Sequence, residues 1–251
     1  MYDDFTFRGR SCRELGAHAF FGESTVIGTT VSRNVYELPG GALAETGDPS
    51  VKSSTRRVTL VPESGEADEA FCRRVCGWLY GGRGPLSLVR DPERYRLCSF
   101  DKAAELDNRS WPEGCVQVQA TMTGYVCASR PVCQRAQTSG GVAILTAAYA
   151  TDVAAPLRLI LRVTGGTVTG ARITSGGQTL ALSGLSAGAG TEIVYDAGAV
   201  ALPEVRIGGL LRFDCVTAWR RLAAVRGGAI RVELDGGEAS VTAQLYGRWY
   251  A

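Results

Sequence analysis

The chain has 251 residues, of which 45% are hydrophobic and 21% are charged. This composition is typical of a folded globular protein and excludes a disordered one, and the length allows one or two domains. The formal net charge of +2 is too small to predict nucleic-acid binding, which depends on a large excess of basic groups.

The first residues, Met1-Tyr2-Asp3-Asp4-Phe5, are acidic and lack the basic and apolar regions of a signal peptide. The most apolar stretch, Val142 to Ala150, is too short to span a bilayer. We therefore expect a protein that is made in the cytoplasm and has no membrane span.

The first third of the chain alternates between strand and turn signals. Phe5-Thr6-Phe7 predicts a strand, and the β-branched run Thr25 to Val35 predicts another, which Pro39-Gly40-Gly41 ends. The next segment, Ala44 to Ser54, is polar and contains Gly47, Asp48 and Pro49, which predicts a mobile loop. A further strand follows over Arg56 to Val61.

One helix is predicted. Phe71, Val75, Trp78 and Leu79 recur at helical spacing and form one apolar face. Acidic residues within Glu63 to Asp68 suit its first turn, and Gly81-Gly82 marks its end. The strands predicted after it are Pro85 to Val89, Arg96 to Phe100 and Val116 to Cys127.

The second half is predicted to be strands and turns, and its predicted strands include Leu157 to Thr164, Leu210 to Phe213 and Ala239 to Trp249. The polar stretch Ser129 to Gly141 suggests a domain boundary, placed so that residues 1–135 and 136–251 form two domains. Turn signals then recur about every ten residues, which is typical of an antiparallel β-sandwich. Asp235-Gly236-Gly237 lies between two alternating runs and predicts a hairpin. The run that ends at Trp249 predicts a C-terminus held in a sheet.

The eight cysteines lie at positions 12, 72, 76, 98, 115, 127, 133 and 215, and no pair has the two-residue spacer of a zinc knuckle. The chain has a single histidine, His18. Cys72 and Cys76 fall on one face of the predicted helix, either as small apolar residues that pack on a sheet or as a metal or redox pair. We expect free thiols, no metal site and no cofactor.

Nothing in the sequence forms a complete catalytic set. Gly184-Leu185-Ser186-Ala187-Gly188 matches the G-x-S-x-G pattern of a hydrolase nucleophile elbow. However, a predicted strand rather than a helix follows it, and His18 precedes it in the chain, opposite to the order of that fold. The prediction is a glycine-rich loop in a protein that is not an enzyme, with a hydrolase using Ser186 as a distant alternative.

The order of these features resembles the distal tail proteins (Dit) of long-tailed siphophages and related prophages. In the first half the resemblance lies in the following segments: Phe5-Thr6-Phe7-Arg8-Gly9, Arg33 to Gly41, a strand near Arg57, the helix ending at Trp78-Leu79, Leu86 to Tyr95 and Val116 to Cys127. In the second half it lies in Leu157 to Val163, a glycine-rich hairpin, Glu192 to Asp196 and the closing strand to Arg248-Trp249. The chain departs from the family in its many cysteines and in its arginine-rich segment Ala218 to Arg226.

The resemblance implies a mainly β fold, with an N-terminal β-barrel-like domain that carries one α-helix and a C-terminal galectin-like antiparallel β-sandwich. It also implies a structural protein of the virion that assembles in the bacterial cytoplasm. In the family, the N-terminal domain builds a homohexameric ring that joins the tail tube protein to the tail-associated hub protein. The outer domains help to hold receptor-binding proteins or bind host glycans.

A ring requires an interface that closes by rotation. We expect the subunit or tube contacts in the β-branched strand and the polar segment beside it. The residues assigned to them are Val31, Arg33, Tyr36, Pro39, Gly40, Gly47 and Asp48. The alternative is an ordinary flexible hairpin.

The rival function is carbohydrate binding by the sandwich, because sugar sites commonly stack an aromatic ring on the sugar face. Five aromatic residues of the second half are available: Tyr195, Trp219, Tyr246, Trp249 and Tyr250. Of these, Tyr246 and Trp249 are expected in the core or at its edge.

Overall fold

The computed structural model describes residues 2–22, 31–37, 39, 43–109, 111–148, 151, 153–197 and 203–250. The chain divides into two compact units. Unit 1 is Met1–Ser129 with Trp249–Ala251, and unit 2 is Arg130–Arg248.

Unit 1 is built on one antiparallel sheet. The strands of unit 1, in chain order, are β1 (Phe5–Phe7), β2 (Arg10–Ser11), β3 (Ala17–Phe21), β4 (Val31–Glu37), β5 (Leu43–Val51), β6 (Ser54–Pro62), β7 (Gly84–Leu88), β8 (Asp91–Ser99), β9 (Glu105–Asp107) and β10 (Cys115–Ala128). A short 3-10 helix covers Arg13–Leu15, and helix α1 covers Glu69–Leu79. The main sheet has the order β2-β1-β7-β8-β10-β6-β3, and β9 also pairs with β10.

Helix α1 covers the apolar face of this sheet. Its predicted face is confirmed, because Phe71, Val75, Trp78 and Leu79 are all buried. The Asp68 carboxylate caps the helix by accepting a hydrogen bond from the Phe71 amide at 2.7 Å. Glu63 to Asp68 therefore precede the helix, contrary to the prediction that they form its first turn.

The core of unit 1 is aromatic where α1 meets the sheet. The Trp78 ring stacks on Phe5 with ring centroids 5.2 Å apart, and its indole N–H donates to the Phe7 carbonyl at 3.2 Å. This bond satisfies the one polar atom of the buried indole, so that the ring is both packed and fixed in orientation.

Unit 2 contains two larger antiparallel sheets. Its strands are β11 (Val132–Gln137), β12 (Val142–Thr146), β13 (Ala155–Gly165), β14 (Thr167–Val168), β15 (Gly170–Ser175), β16 (Gln178–Leu182), β17 (Ala187–Gly188), β18 (Glu192–Asp196), β19 (Glu204–Ile207), β20 (Leu210–Leu211), β21 (Val216–Ala218), β22 (Ala223–Ala224), β23 (Ala229–Asp235) and β24 (Glu238–Leu245). One sheet has the order β11-β24-β13-β18-β19-β20, and the other has the order β12-β23-β15-β16-β21.

The strands of unit 2 alternate between core and solvent. In β13 the side chains of Leu157, Leu159, Leu161 and Val163 are buried, whereas the residues between them are more exposed. They belong to one continuous apolar core. The predicted fold class, mainly β with one α-helix in the first unit and an antiparallel sandwich in the second, is confirmed.

Two glycine turns of unit 2 show where the local sequence pattern is sufficient to predict a hairpin and where it is not. Gly176 and Gly177, both at positive φ, link β15 to β16 in a two-residue hairpin. Gly236 and Gly237 also have positive φ, but they link β23 in one sheet to β24 in the other. The predicted hairpin at Asp235-Gly236-Gly237 is therefore wrong, because this tight turn is a corner between the two sheets.

The C-terminus is held in a sheet, as the sequence predicts. A last strand, β25 (Arg248–Trp249), pairs with β10 of unit 1. The Trp249 ring lies under the Arg94 guanidinium, with 4.7 Å from Arg94 Cζ to the ring centroid. Among the described residues, no helix is long and apolar enough to cross a membrane.

Candidate functional site

The residues predicted to make assembly contacts lie on a β-hairpin formed by β4 and β5. Within it, Val31 pairs with Val51, Val35 with Glu45 and Tyr36 with Ala44. Arg33 lies on β4, Pro39 lies in the turn region, and Gly47 and Asp48 lie on β5. Gly40, together with the first part of the predicted strand (residues 25–30), lies outside the described residues.

The predicted mobile loop over Ala44 to Ser54 is wrong, because Leu43–Val51 forms strand β5 and Ser54 begins β6. The register shifts between Ser32 and Asn34, so Gly47, Asp48 and Pro49 stand opposite Arg33 alone. Such a bulge accommodates glycine and proline, which regular strand pairing disfavours. The turn-forming residues therefore mark an irregularity within a strand.

The hairpin is a separate two-stranded sheet and does not continue the main sheet of unit 1. It is inserted between β3 and β6, which pair with each other through Phe21 and Val58. At its base, the Gly22 amide donates to the Arg57 carbonyl at 3.1 Å. A two-stranded hairpin is marginally stable by itself, so contact with a further surface would stabilise it.

Apolar side chains are exposed on both faces of the hairpin. The exposed fraction is 47% for Val35 and 58% for Tyr36, and consecutive strand residues point to opposite faces. Each face of the hairpin therefore offers one apolar side chain to a partner that covers it.

A charged cluster fixes the N-terminal segment along the edge strand β3. The Asp4 carboxylate pairs with Arg13 and accepts a hydrogen bond from the Ala19 amide at 3.0 Å. Arg13 also donates to Glu63 at 2.9 Å. The side chain of His18 lies 3.5 Å from Asp4 and stacks on Tyr2 with ring centroids 3.8 Å apart.

The environment of Asp4 lowers its pKa. Burial raises the pKa of this carboxyl, but the hydrogen bonds from Ala19 and Arg13 and the positive charge of Arg13 outweigh burial and lower it overall. Asp4 is therefore an anion that binds a backbone amide of the edge strand β3, an arrangement that disfavours strand addition there.

The cysteines are free thiols. Burial raises the pKa of Cys98 to about 12, and burial also raises the pKa of Cys72 and of Cys76, which disfavours the reactive thiolate. Cys72 packs against the core of unit 1, which supports the apolar interpretation of this pair. Across the described part of the chain, no three His, Cys, Asp or Glu side chains are placed to hold a metal ion.

Ser186 lies in an exposed turn between β16 and β17. A nucleophile elbow requires a helix directly after the serine, whereas the short strand β17 begins at Ala187. His18 belongs to unit 1 and contacts the carboxylates described above. The arrangement around Ser186 does not form a nucleophile with its base.

A polar cavity of about 240 Å³ lies in unit 1. It opens where β10 passes between its pairing with β8 and its pairing with β9. Its lining includes Arg57, Lys102, Glu105, Gln117 and Gln119. Ligand pockets are mostly apolar with a few polar groups, so this cavity does not indicate a small-molecule site.

The aromatic residues proposed for sugar binding are in different environments. Tyr195 is 1% exposed and belongs to the core, so it is excluded as a stacking platform. Trp219 packs against the core and meets Phe213 edge-on, with ring centroids 5.9 Å apart. Trp249 lies under Arg94, and Tyr250 meets Tyr125 at 5.8 Å.

One exposed surface was not predicted as a site. Leu210, Leu211 and Phe213 have exposed fractions of 71%, 46% and 57%. The sequence predicts a strand there, and the signal that marks the surface is the pair of leucines directly after the turn Gly208-Gly209.

Comparisons with known proteins support the fold. No protein-family model matches the chain, and no curated protein matches it. The crystal structure of SPP1 Dit (gp 19.1), described as a paradigm of the hub adsorption apparatus in phages that infect Gram-positive bacteria, aligns with a TM-score of 0.64. The alignment covers 97% of this chain and 98% of that chain at 9% identity.

A structure of infectious bursal disease virus (Gx strain) aligns at 12% identity over 98% of this chain and 71% of that one, with a TM-score of 0.23 that is too low to inform the fold. The match to SPP1 Dit shows that both units of this chain have the Dit fold. The resemblance drawn from the sequence is confirmed at the level of the fold.

Proposed function

We propose that this chain is a distal tail protein, a non-enzymatic component of the tip of a phage tail. The observation that carries the proposal is the agreement in fold with SPP1 Dit across 97% of the chain. Agreement over both units is more specific than agreement of one sandwich, because sandwiches occur in many unrelated functions.

In this proposal unit 1, Met1–Ser129 with Trp249–Ala251, forms the ring and unit 2, Arg130–Arg248, forms the galectin-like domain, in place of the predicted bounds 1–135 and 136–251. The protein assembles as a homohexamer that joins the tail tube protein to the tail-associated hub protein. The hairpin of β4 and β5 supplies a subunit or tube contact through Val31, Arg33, Tyr36, Pro39, Gly40, Gly47 and Asp48. Its pairing as a sheet of its own and the exposure of Val35 and Tyr36 support this role.

The location is tested by labelling phage particles that carry this chain with gold-conjugated antibodies raised against it. Electron microscopy is expected to show gold at the end of the tail farthest from the capsid. Label along the whole tube, on the capsid, or only on unassembled protein would contradict the proposal. Particles from a phage that lacks this chain are the control.

A further inference from the structure

The N-terminal segment Tyr2 to Asp4, which we call the N-terminal strap, runs along β3 and binds its backbone groups. The Asp3 amide donates to the Ala19 carbonyl at 2.8 Å. The Ala19 amide donates to the Asp4 carboxylate at 3.0 Å, and the Phe21 amide donates to the Asp3 carboxylate at 3.4 Å. Because β3 is the last strand of the main sheet, the strap covers an edge that would otherwise be open to strand addition.

His18 lies on β3 between two carboxylates. Its Nδ1 atom is 3.5 Å from Asp4 Oδ2, and its Nε2 atom is 3.9 Å from Glu63 Oε1. The side chain is only 13% exposed, and Nδ1 is buried and forms no hydrogen bond with any described residue. The Tyr2 ring stacks on the imidazole with 17° between the ring planes. His18 therefore contacts both the strap and the segment that follows β6.

The charges in contact with His18 do not balance while its imidazole is neutral. Asp4 and Glu63 both pair with Arg13, so the cluster holds two negative charges and one positive charge. A proton on His18 makes the cluster neutral, and it places a hydrogen on each of the two nitrogens that face the carboxylates. The charge of Asp4 and that of a protonated His18 therefore favour each other.

The other charged groups of the strap and of the 3-10 helix have partners outside this cluster. These pairs are Asp3 with Arg90 at 3.1 Å and Glu14 with Arg10 at 3.9 Å. Cys12 is also close to Asp4, but burial raises the pKa of this thiol, so it stays neutral. His18 is therefore the group whose protonation sets the net charge of the cluster at neutral pH.

We propose that His18 is a pH-sensitive switch that holds the N-terminal strap on β3. The protonated imidazole forms ion pairs with Asp4 and Glu63, whereas the neutral imidazole carries a hydrogen on one nitrogen only. Histidine changes its charge between about pH 5 and pH 8, where the carboxylates and the arginine stay charged. The strap is therefore held more tightly at mildly acidic pH, and the edge of β3 becomes more accessible as the pH rises. This inference goes beyond the proposed function and holds whether or not unit 1 assembles.

The test is hydrogen–deuterium exchange of the purified full-length chain, measured by mass spectrometry on peptides that cover β3. After correction for the intrinsic effect of pH on amide exchange, these peptides should exchange about 3-fold faster at pH 8 than at pH 6, a change of the size that partly exposed ion pairs produce. His18→Gln keeps a polar side chain that does not titrate, so the corrected rates should be equal at both pH values. Circular dichroism and thermal unfolding would show that this variant keeps the fold.

A second variant tests the cluster without changing a buried side chain. Glu63→Gln removes a carboxylate that is 45% exposed, and it should reduce the difference between pH 6 and pH 8. The matched control, Glu69→Gln, removes an exposed carboxylate of helix α1 and should leave the difference unchanged. The same pH dependence in His18→Gln as in the unchanged chain would overturn the proposal. So would slower exchange at pH 8 than at pH 6, or a full difference in Glu63→Gln.

Discussion

Tyr195 is a buried residue whose hydroxyl group connects two segments of unit 2. It donates to the Arg220 carbonyl at 2.9 Å and accepts from the Leu222 amide at 2.7 Å. Burial raises the pKa of Tyr195 to about 12, so the hydroxyl stays neutral and keeps its proton for donation. The hydroxyl therefore ties β18 to the arginine-rich segment Ala218 to Arg226.

Replacing Tyr195 with Phe is expected to lower the free energy of unfolding by about 1–3 kcal/mol, because the buried Leu222 amide loses its acceptor. Urea unfolding followed by circular dichroism measures the change. Tyr36→Phe alters an exposed hydroxyl and serves as the control with no expected change. Equal stability of Tyr195→Phe and the unchanged chain would show that the hydroxyl does not hold this segment.

The lowered pKa of Asp4 predicts how the free energy of unfolding depends on pH. Its pKa is lower in the folded chain than in the unfolded chain, so its contribution is fully present above the unfolded pKa, near pH 4. The contribution is lost as the pH falls through the folded pKa. Asp4→Asn should therefore lower the free energy of unfolding by roughly 1–2 kcal/mol at pH 7, and the difference from the unchanged chain should shrink below about pH 4.

The measurement is a series of urea unfolding curves between neutral and acidic pH for both proteins. Glu69→Gln removes an exposed ion pair with Arg73 on the helix surface and is the control, since such pairs contribute little. A difference between Asp4→Asn and the unchanged chain that stays constant with pH would contradict the role assigned to the Asp4 charge.

At the scale of elements, strands and the helix were predictable where one face of the element is buried. In β10 and β13 the side chains alternate between core and solvent, and in α1 the buried side chains recur at helical spacing. Each element therefore has a clear period in the sequence. β5 was not predicted because it contains Gly47 and Pro49, which are typical of loops. β11 was not predicted because the sequence around it is polar. Local composition does not reveal pairing that depends on a distant strand.

The same limit applies to the candidate sites. The sequence predicts an assembly surface in the hairpin region, from its β-branched strand and the long polar segment beside it, and this stays a prediction. It did not identify the exposed side chains of Leu210, Leu211 and Phe213, because the pattern Leu210-Leu211 predicts a strand whether or not another strand covers it. Exposure depends on the order of strands in the sheet, which places β20 at the end.

The hairpin yields a test of assembly at this scale. The double variant Val35→Ser, Tyr36→Ser removes exposed apolar side chains from both faces without removing core contacts. We expect it to reduce the oligomer to smaller species, with a loss of association of roughly 2 kcal/mol or more per contact. Size-exclusion chromatography with light scattering measures the outcome.

Val89→Ser is the matched control for the hairpin variant, since Val89 is 54% exposed in unit 1 but lies outside the hairpin. It should leave the oligomer unchanged. An intact oligomer in the double variant would exclude Val35 and Tyr36 from the interface. Dissociation in both variants would point to a general effect of lost apolar surface.

At the scale of the whole molecule, two β-rich units are joined in one chain whose last strand returns to pair with β10 of unit 1. Unit 1 therefore contains two segments, Met1–Ser129 and Trp249–Ala251, and unit 2 is inserted between these segments in the sequence. A chain organised in this way is suited to one unit that assembles and one that presents surfaces to partners, which is the division of roles that we propose.

The most direct test of this account is the mass of the purified full-length protein measured by native mass spectrometry. The account predicts a closed homohexamer of the 26.6 kDa chain, visible as rings in negatively stained micrographs. A monomer that persists across the accessible concentration range, with no ring in the micrographs, would contradict it.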